Sequence, residues 1–199
     1  AQAPVLLDQL LDARALHAPP EKDELRAELT RLAADVAPGD TEAGMNLLRR
    51  YVRETTRSIA AAELNGVLTL VNVSDRLTWL AEAAVEQALL FARQDLQPQY
   101  GEANAKMAVI AYGKFGGIEL GYGSDLDLVF VHGSTTPDAE TTGGKRTLTH
   151  AEYFARWLQR TVNLLSAQTH RGRAYEVDLQ LRPSGSSGPS VVSIDGFSD

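Results

Sequence analysis

The stretch Gly113-Lys-Phe-Gly-Gly-Ile-Glu-Leu-Gly-Tyr-Gly-Ser-Asp-Leu-Asp-Leu-Val-Phe-Val-His132 constrains the fold more than any other part of the chain. It joins a glycine-rich turn to a β-branched and apolar run, Leu126 to His132, that reads as a buried strand. A second such run, Met107-Ala-Val-Ile-Ala-Tyr112, stands just upstream. Side chains alternate faces along a strand. Asp125 and Asp127 therefore share one face, while Leu126, Leu128 and Phe130 take the other and face the core.

Two carboxylates at alternate strand positions lie about 7 Å apart at their Cα atoms, from a rise of ~3.3 Å per residue. Their oxygens can converge on one cation. Without a cation they repel, and one is expected to hold its proton. Mg²⁺ suits such a site, because it takes one or two carboxylates and leaves positions for phosphate oxygens. Gly116, Gly117 and Gly121, with Gly123 and Ser124, would let backbone N–H groups approach a triphosphate closely. Gly121-Tyr-Gly-Ser124 also reads as a simple tight turn, and Asp-x-Asp alone as two solvated aspartates opening an edge strand.

About fifty residues on, in Tyr175-Glu-Val-Asp-Leu-Gln-Leu-Arg-Pro183, the same alternation puts Glu176, Asp178, Gln180 and Arg182 on one face. If this strand lies beside the first, Asp178 completes a three-carboxylate cluster. That is the arrangement for in-line phosphoryl chemistry with two metals ~3.5–4 Å apart. Asp178 would bridge the metals or act as base. Taken alone, Asp178 reads equally well as a surface carboxylate paired with Arg182.

The rest of the chain is mostly helical in pattern. Val5, Leu6, Leu7, Leu10 and Leu11 recur at helical spacing before Pro19-Pro20. Leu25, Leu29, Leu32 and Val36 form a stripe over Glu21 to Val36. Asp40 or Thr41 can cap a helix from Glu42 to about Leu64, ending at Asn65-Gly66. Ser74 is the expected N-cap of a helix reaching about Leu96, before Pro98. These helices predict a bundle over residues 1–105, and residues 106–199 a sheet-bearing core. Gly133 to Thr147 reads as an exposed loop, Thr149 to about Gln168 as an amphipathic helix, and Ala174 to Leu181 as a strand. Ser184-Gly-Ser-Ser-Gly-Pro-Ser190 reads as a flexible loop.

Composition narrows the function classes. The 199 residues carry no cysteine, which excludes disulfides, thiolate zinc sites and cysteine nucleophiles, and fits a reducing cytoplasm. A net charge of −7 argues against non-specific nucleic-acid binding. No apolar run reaches the roughly 18 residues of a membrane span. Phe115 stands where a Walker A loop needs Ser or Thr, and His17, His132, His150 and His170 show no metal-ligand spacing. A chain that opens without methionine and closes on Phe197-Ser198-Asp199 is expected to belong to something longer, with its core truncated at the carboxy end.

Residues 113–128, with Tyr175-Glu-Val-Asp178 and Leu181-Arg-Pro-Ser-Gly185, resemble the signature of the bacterial glutamine synthetase adenylyltransferases, bifunctional enzymes of the polymerase-β-like nucleotidyltransferase superfamily. Val5-Leu-Leu-Asp-Gln-Leu-Leu11 and Val73-Ser-Asp-Arg-Leu-Thr-Trp-Leu-Ala-Glu82 are similar to the helical segments upstream of that signature. The resemblance implies an α+β fold, a helical bundle followed by a polymerase-β-like mixed sheet with flanking helices. It implies Asp125, Asp127 and Asp178 as metal-binding catalytic carboxylates, and Gly116, Gly117, Gly123 and Ser124 on the triphosphate. Lys114 and Arg182 are further phosphate contacts under the same resemblance. Mg²⁺, or Mn²⁺ in its place, would serve an ATP-dependent transfer of AMP to a tyrosine of glutamine synthetase. A PII-type signal protein and glutamine would regulate the parent enzyme, in the cytoplasm. The wording of the motif is closer to the adenylylating half of such enzymes than to the half that removes AMP by phosphorolysis. Phe115 in place of leucine and Gln180 in place of a charged residue depart from the pattern. Two rival readings are phosphorolytic deadenylylation on the same scaffold and a non-catalytic module that docks a partner.

Overall fold

The computed structural model describes residues 19–136, 138–169, 172–180 and 191–194. The helix expected at residues 5–11, Arg182 and the loop at 184–190 lie outside the described residues.

Among the described residues three helices come first: α1 (Lys22–Ala33), α2 (Thr41–Leu64) and α3 (Leu70–Tyr100). A capping box between Glu21 and Glu24 opens α1, whose Leu25 and Leu29 are buried against the other helices. Asp40 caps α2 by accepting from the Ala43 N–H at 2.9 Å. The third helix is the axis of the molecule, 31 residues or roughly 46 Å long. Ala81, Ala84, Ala88 and Ala92 are all buried along it. Such small side chains let α1, α2 and a later helix, His150–Ser166, pack closely against it.

That helix begins earlier and ends later than the pattern predicts. Thr69, not Ser74, is the N-cap, and Pro98 sits inside the last turn. Leu96 and Tyr100 flank the proline and are both buried, so their packing offsets the lost backbone hydrogen bond. Ser74 instead reaches out of the helix, and its hydroxyl donates to the Leu120 carbonyl at 3.0 Å.

Strand β1 (Met107–Ala111) leads through the one-turn helix α4 (Gly113–Gly116) to β2 (Leu126–His132). The two strands pair antiparallel, with Met107 opposite His132 and Ala111 opposite Leu128. After a loop comes α5 (His150–Ser166), opened by a capping box between Thr149 and Glu152. Short strands β3 (Val177–Asp178) and β4 (Val192–Ser193) both run parallel to β2, β3 along its start and β4 along its end. The result is α+β, a four-stranded mixed sheet with flanking helices.

Beyond Asp127, β2 is buried on both faces, since Val129 and Val131 are as enclosed as Leu128 and Phe130. The strand expected over 174–181 is regular only at Val177–Asp178 among its described residues. The loop after β2 is less exposed than its composition predicts: Ser134 and Thr141 are buried, because bridges at Glu102–Thr142 and Glu140–Thr149 fold it onto the body. A single apolar cluster runs from Leu25 through α3 to Phe130, Phe154 and Leu165. Trp157 ties α5 to α3 by donating from Nε1 to the Leu89 carbonyl at 2.9 Å. No helix among the described residues is long and apolar enough to cross a membrane.

Candidate active site

The open end of β2 gathers the acidic residues. Pairing of β2 with β3 sets Asp127 directly opposite Asp178. One oxygen from each of Asp125, Asp127 and Asp178 lies within 4.8 Å of the others. Asp125 is exposed, and Asp127 and Asp178 are half-buried. The Leu126 N–H donates to the Glu176 carbonyl at 2.9 Å, extending the β2–β3 pairing upstream. Asp178 is oriented by its own backbone, with Oδ1 accepting from the Gln180 N–H at 2.8 Å.

The turn after β1 closes directly on this cluster. Tyr112 donates its N–H to the Asp127 carbonyl at 2.9 Å, and the chain then bends into α4 with Gly113 at φ +54°. A Cβ at Gly113 would stand 2.2 Å from Asp127 Oδ2, and one at Gly116 would stand 2.5 Å from the Ala111 carbonyl oxygen. Only glycine lets the backbone come so near the carboxylate. Gly117 has ordinary space around it, and nothing lies near Gly123, which takes φ +72°.

The second turn, Gly121 to Ser124, is held by several contacts. Ser124 Oγ accepts from the Gly121 N–H at 3.1 Å, and the Ser124 N–H donates to the Gly121 carbonyl at 3.3 Å. Tyr122 donates its hydroxyl to Glu63 on α2 at 2.7 Å. With the Ser74 bond to Leu120, the helices thus fix the approach to Asp125 from two sides. Sequence patterns give no sign of Ser74 or Glu63 in this role, because both act across more than forty residues. Gly113 could have been picked out, since it opens the glycine turn directly after a strand.

The electrostatics follow from the crowding. Burial, then the charge of Asp125, then that of Asp178, push the Asp127 carboxyl above its usual range, and Lys114 opposes them. One lysine does not balance three carboxylates. The donors are all oxygen, the set that suits a hard divalent cation such as Mg²⁺ rather than a thiolate- or imidazole-seeking metal. Of the residues expected at a site, Asp125, Asp127 and Asp178 are brought together, with Gly116, Gly117 and Lys114 in the turn beside them. Gly123 and Ser124 lie in the turn that leads into Asp125, and Arg182 is outside the described residues.

Comparison with known proteins agrees with this geometry. A family profile described as glutamate-ammonia ligase adenylyltransferase matches residues 1–199. A bifunctional glutamine synthetase adenylyltransferase/adenylyl-removing enzyme of Thioalkalivibrio sulfidiphilus is 44% identical over 98% of this chain and 21% of its own length. Proteins of the same name from Shewanella frigidimarina and Methylococcus capsulatus are 43% and 45% identical over 99% of this chain. The chain covers 21% and 22% of those two proteins, about a fifth of the length of the relatives it matches. A match over the full chain, with the three carboxylates in place, makes this chain a member of the glutamate-ammonia ligase adenylyltransferase family.

Proposed function

We propose that this chain is the nucleotidyl-transfer core of a longer enzyme that moves AMP from ATP to a tyrosine hydroxyl of glutamine synthetase. The observation that carries the reading is the convergence of Asp125, Asp127 and Asp178 against a glycine turn that a side chain at Gly113 would block. Asp125, Asp127 and Asp178 would hold Mg²⁺ or Mn²⁺. When bound, the cation supplies positive charge to the triphosphate and lowers the pKa of the attacking hydroxyl.

The chain's own residues do the positioning. Gly116 and Gly117 keep the turn beside β1 free of side chains where the triphosphate would lie, their own N–H groups being held by the Tyr112 and Gly113 carbonyls, and Lys114 adds a cation on the same side. Gly123, Ser124 and Arg182 are the remaining phosphate contacts under this reading. The tyrosine oxygen attacks the α-phosphorus, the bond to the β-phosphate oxygen breaks, and pyrophosphate leaves. The hydroxyl proton passes to Asp178. Holding the reactants in line accounts for much of the rate.

The relatives' names include both adenylylation and AMP removal. Phosphorolytic release of ADP is therefore the second reading, and the motif wording around Gly121–Asp127 favours the first. A helical region of residues 1–105 carrying a core of residues 106–199, cytoplasmic location, and control by glutamine and a PII-type protein belong to the same proposal.

Mn²⁺-dependent ATP binding by the parent and by Asp127→Asn tests the site. Loss of binding in the variant is expected, and equal binding by both would sink the assignment. Transfer of label from α-labelled ATP to glutamine synthetase, set against ADP release from the adenylylated form with phosphate, fixes the direction. Absence of nucleotide binding in both proteins would favour a non-catalytic docking module.

A further inference from the structure

A cleft of about 450 Å³ opens beside the carboxylates, between α2, the Gly121–Ser124 turn and the segment that leads into β3. Its wall on α2 carries Arg49, Arg53 and Arg57, spaced four residues apart and so stacked on one helical face. Arg173 faces them from the β3 side, and its charge is taken by an ion pair with Glu176. Arg53 and Arg57 are exposed and carry no ion pair among the described residues. Arg49 is 6% exposed; it donates from Nη2 to the Ala167 carbonyl at 2.7 Å, and its Nε has no partner. Three guanidinium charges thus stand without a carboxylate, in a chain whose net charge is −7.

The position of the cleft says which reactant it serves. Strand β2 has β1 on one edge and β3 on the other. Gly123 and Ser124 line the near end of the cleft, whose far wall is α2 and the segment entering β3; the rest of the proposed triphosphate turn, Gly113–Gly117, follows β1 and does not line it. In-line displacement puts the attacking oxygen and the leaving pyrophosphate on opposite sides of the α-phosphorus. The acceptor therefore arrives from the β3 side, across the arginines.

We infer that the Arg49–Arg53–Arg57 cleft seats an acidic segment of the protein acceptor, next to the tyrosine that is modified. The inference rests on the proposed transfer reaction and adds the chemistry by which the acceptor is recognised. Rim charges of this kind steer encounter and fix register more than they drive affinity.

The test compares the full-length protein with Arg53→Gln/Arg57→Gln and with Arg53→Lys/Arg57→Lys. The glutamine pair is expected to raise KM for glutamine synthetase about tenfold, with kcat and ATP affinity within about twofold. The lysine pair keeps the charge and is expected to restore most of the loss. A fluorescein-labelled peptide with one tyrosine flanked by glutamates, titrated without nucleotide, reads the cleft independently of chemistry. If the parent transfers no AMP but the glutamine pair loses the peptide, the reaction assignment fails and the cleft stands. Unchanged peptide affinity overturns the cleft assignment. A fall in ATP affinity that matches the KM rise also overturns it, because the arginines would then hold the nucleotide's phosphates.

Discussion

The contact between α1 and α3 and the open end of β2 handle charge in opposite ways. Along α1, Arg26 forks onto Glu86 with two bonds of 2.7 Å, and Lys22 meets Glu82 at 2.5 Å. Beneath those pairs Leu25, Leu29 and Leu80 are sealed from solvent. At the end of β2, three carboxylates crowd together and Asp127 is driven toward its protonated form. Opposite charges are paired where the helices must hold, and like charges are forced together where the proposed cation would bind. The first arrangement stabilises the fold. The second costs stability in the absence of metal, and that cost is the mark of a site.

Asp127→Asn breaks the contrast most severely. It removes one of the three proposed ligands and is expected to weaken Mn²⁺-dependent ATP binding by about 100-fold or more. The sign for stability runs the other way. A carboxyl whose folded pKa is raised binds its proton more tightly folded than unfolded, so its ionisation at neutral pH destabilises the fold. The metal-free variant is therefore expected to melt at the same or a higher temperature than the parent, as thermal unfolding without metal would show.

Leu80→Ala probes the opposite region. At 0% exposure its truncation is expected to cost ~2–5 kcal/mol in denaturant unfolding. Per folded molecule, nucleotide affinity should stay unchanged. A comparable fall in affinity would mean that the helices tune the site as well as carry it.

Gly113→Ala strikes where the two demands meet. The backbone at φ +54° and a Cβ 2.2 Å from Asp127 Oδ2 are expected to cost ~1–3 kcal/mol of stability together with a loss of metal-dependent nucleotide binding. Stability lost with binding intact would make this glycine a matter of folding alone.

The sheet supplies a pH-dependent comparison. His132 is buried, stacks on Phe154 with centroids 4.7 Å apart, and accepts at Nδ1 from the Ser134 N–H at 3.2 Å. Burial, and then nearby His150, hold its pKa below the ordinary 6.5. Folded His132 resists a proton that the unfolded chain accepts, so its contribution is present above pH 6.5 and lost as pH falls below that value. Melting temperature should drop in that window, with a smaller slope for His132→Gln. The smallest effect belongs to the surface pair: Arg26→Ala should cost only ~0.2–1 kcal/mol and less in high salt, since both side chains are about half exposed.

Much of the helical architecture is legible in the sequence, because caps and periodic stripes act within one or two turns. Asp40, one of the two expected candidates, caps α2, Thr149 at the start of the expected helix caps α5, and Leu25 and Leu29 face inward. Ser74 misleads for the same reason. A hydroxyl ahead of an apolar stripe is a good cap by local rules, yet its partner is the Leu120 carbonyl, 46 residues away. Pro98 misleads because the packing of Leu96 and Tyr100 outweighs a local preference.

At the site itself the same division holds. Strand alternation is a property of the backbone, so the order of residues was enough to put Asp125 and Asp127 on one face. It also marked a glycine turn beside them, although the glycine that meets Asp127, Gly113, was not among those singled out. That β3 lies parallel to β2 with Asp178 opposite Asp127 came only with the folded sheet. So did the hold of Glu63 and Ser74 on the approach to Asp125, and the three arginines that α2 turns toward the same end of the sheet. The difference lies in separation along the chain. Local geometry repeats every two or 3.6 residues and can be read from one strand or helix. Register between segments fifty residues apart is set only when the whole core closes and fixes which edge of β2 is left free.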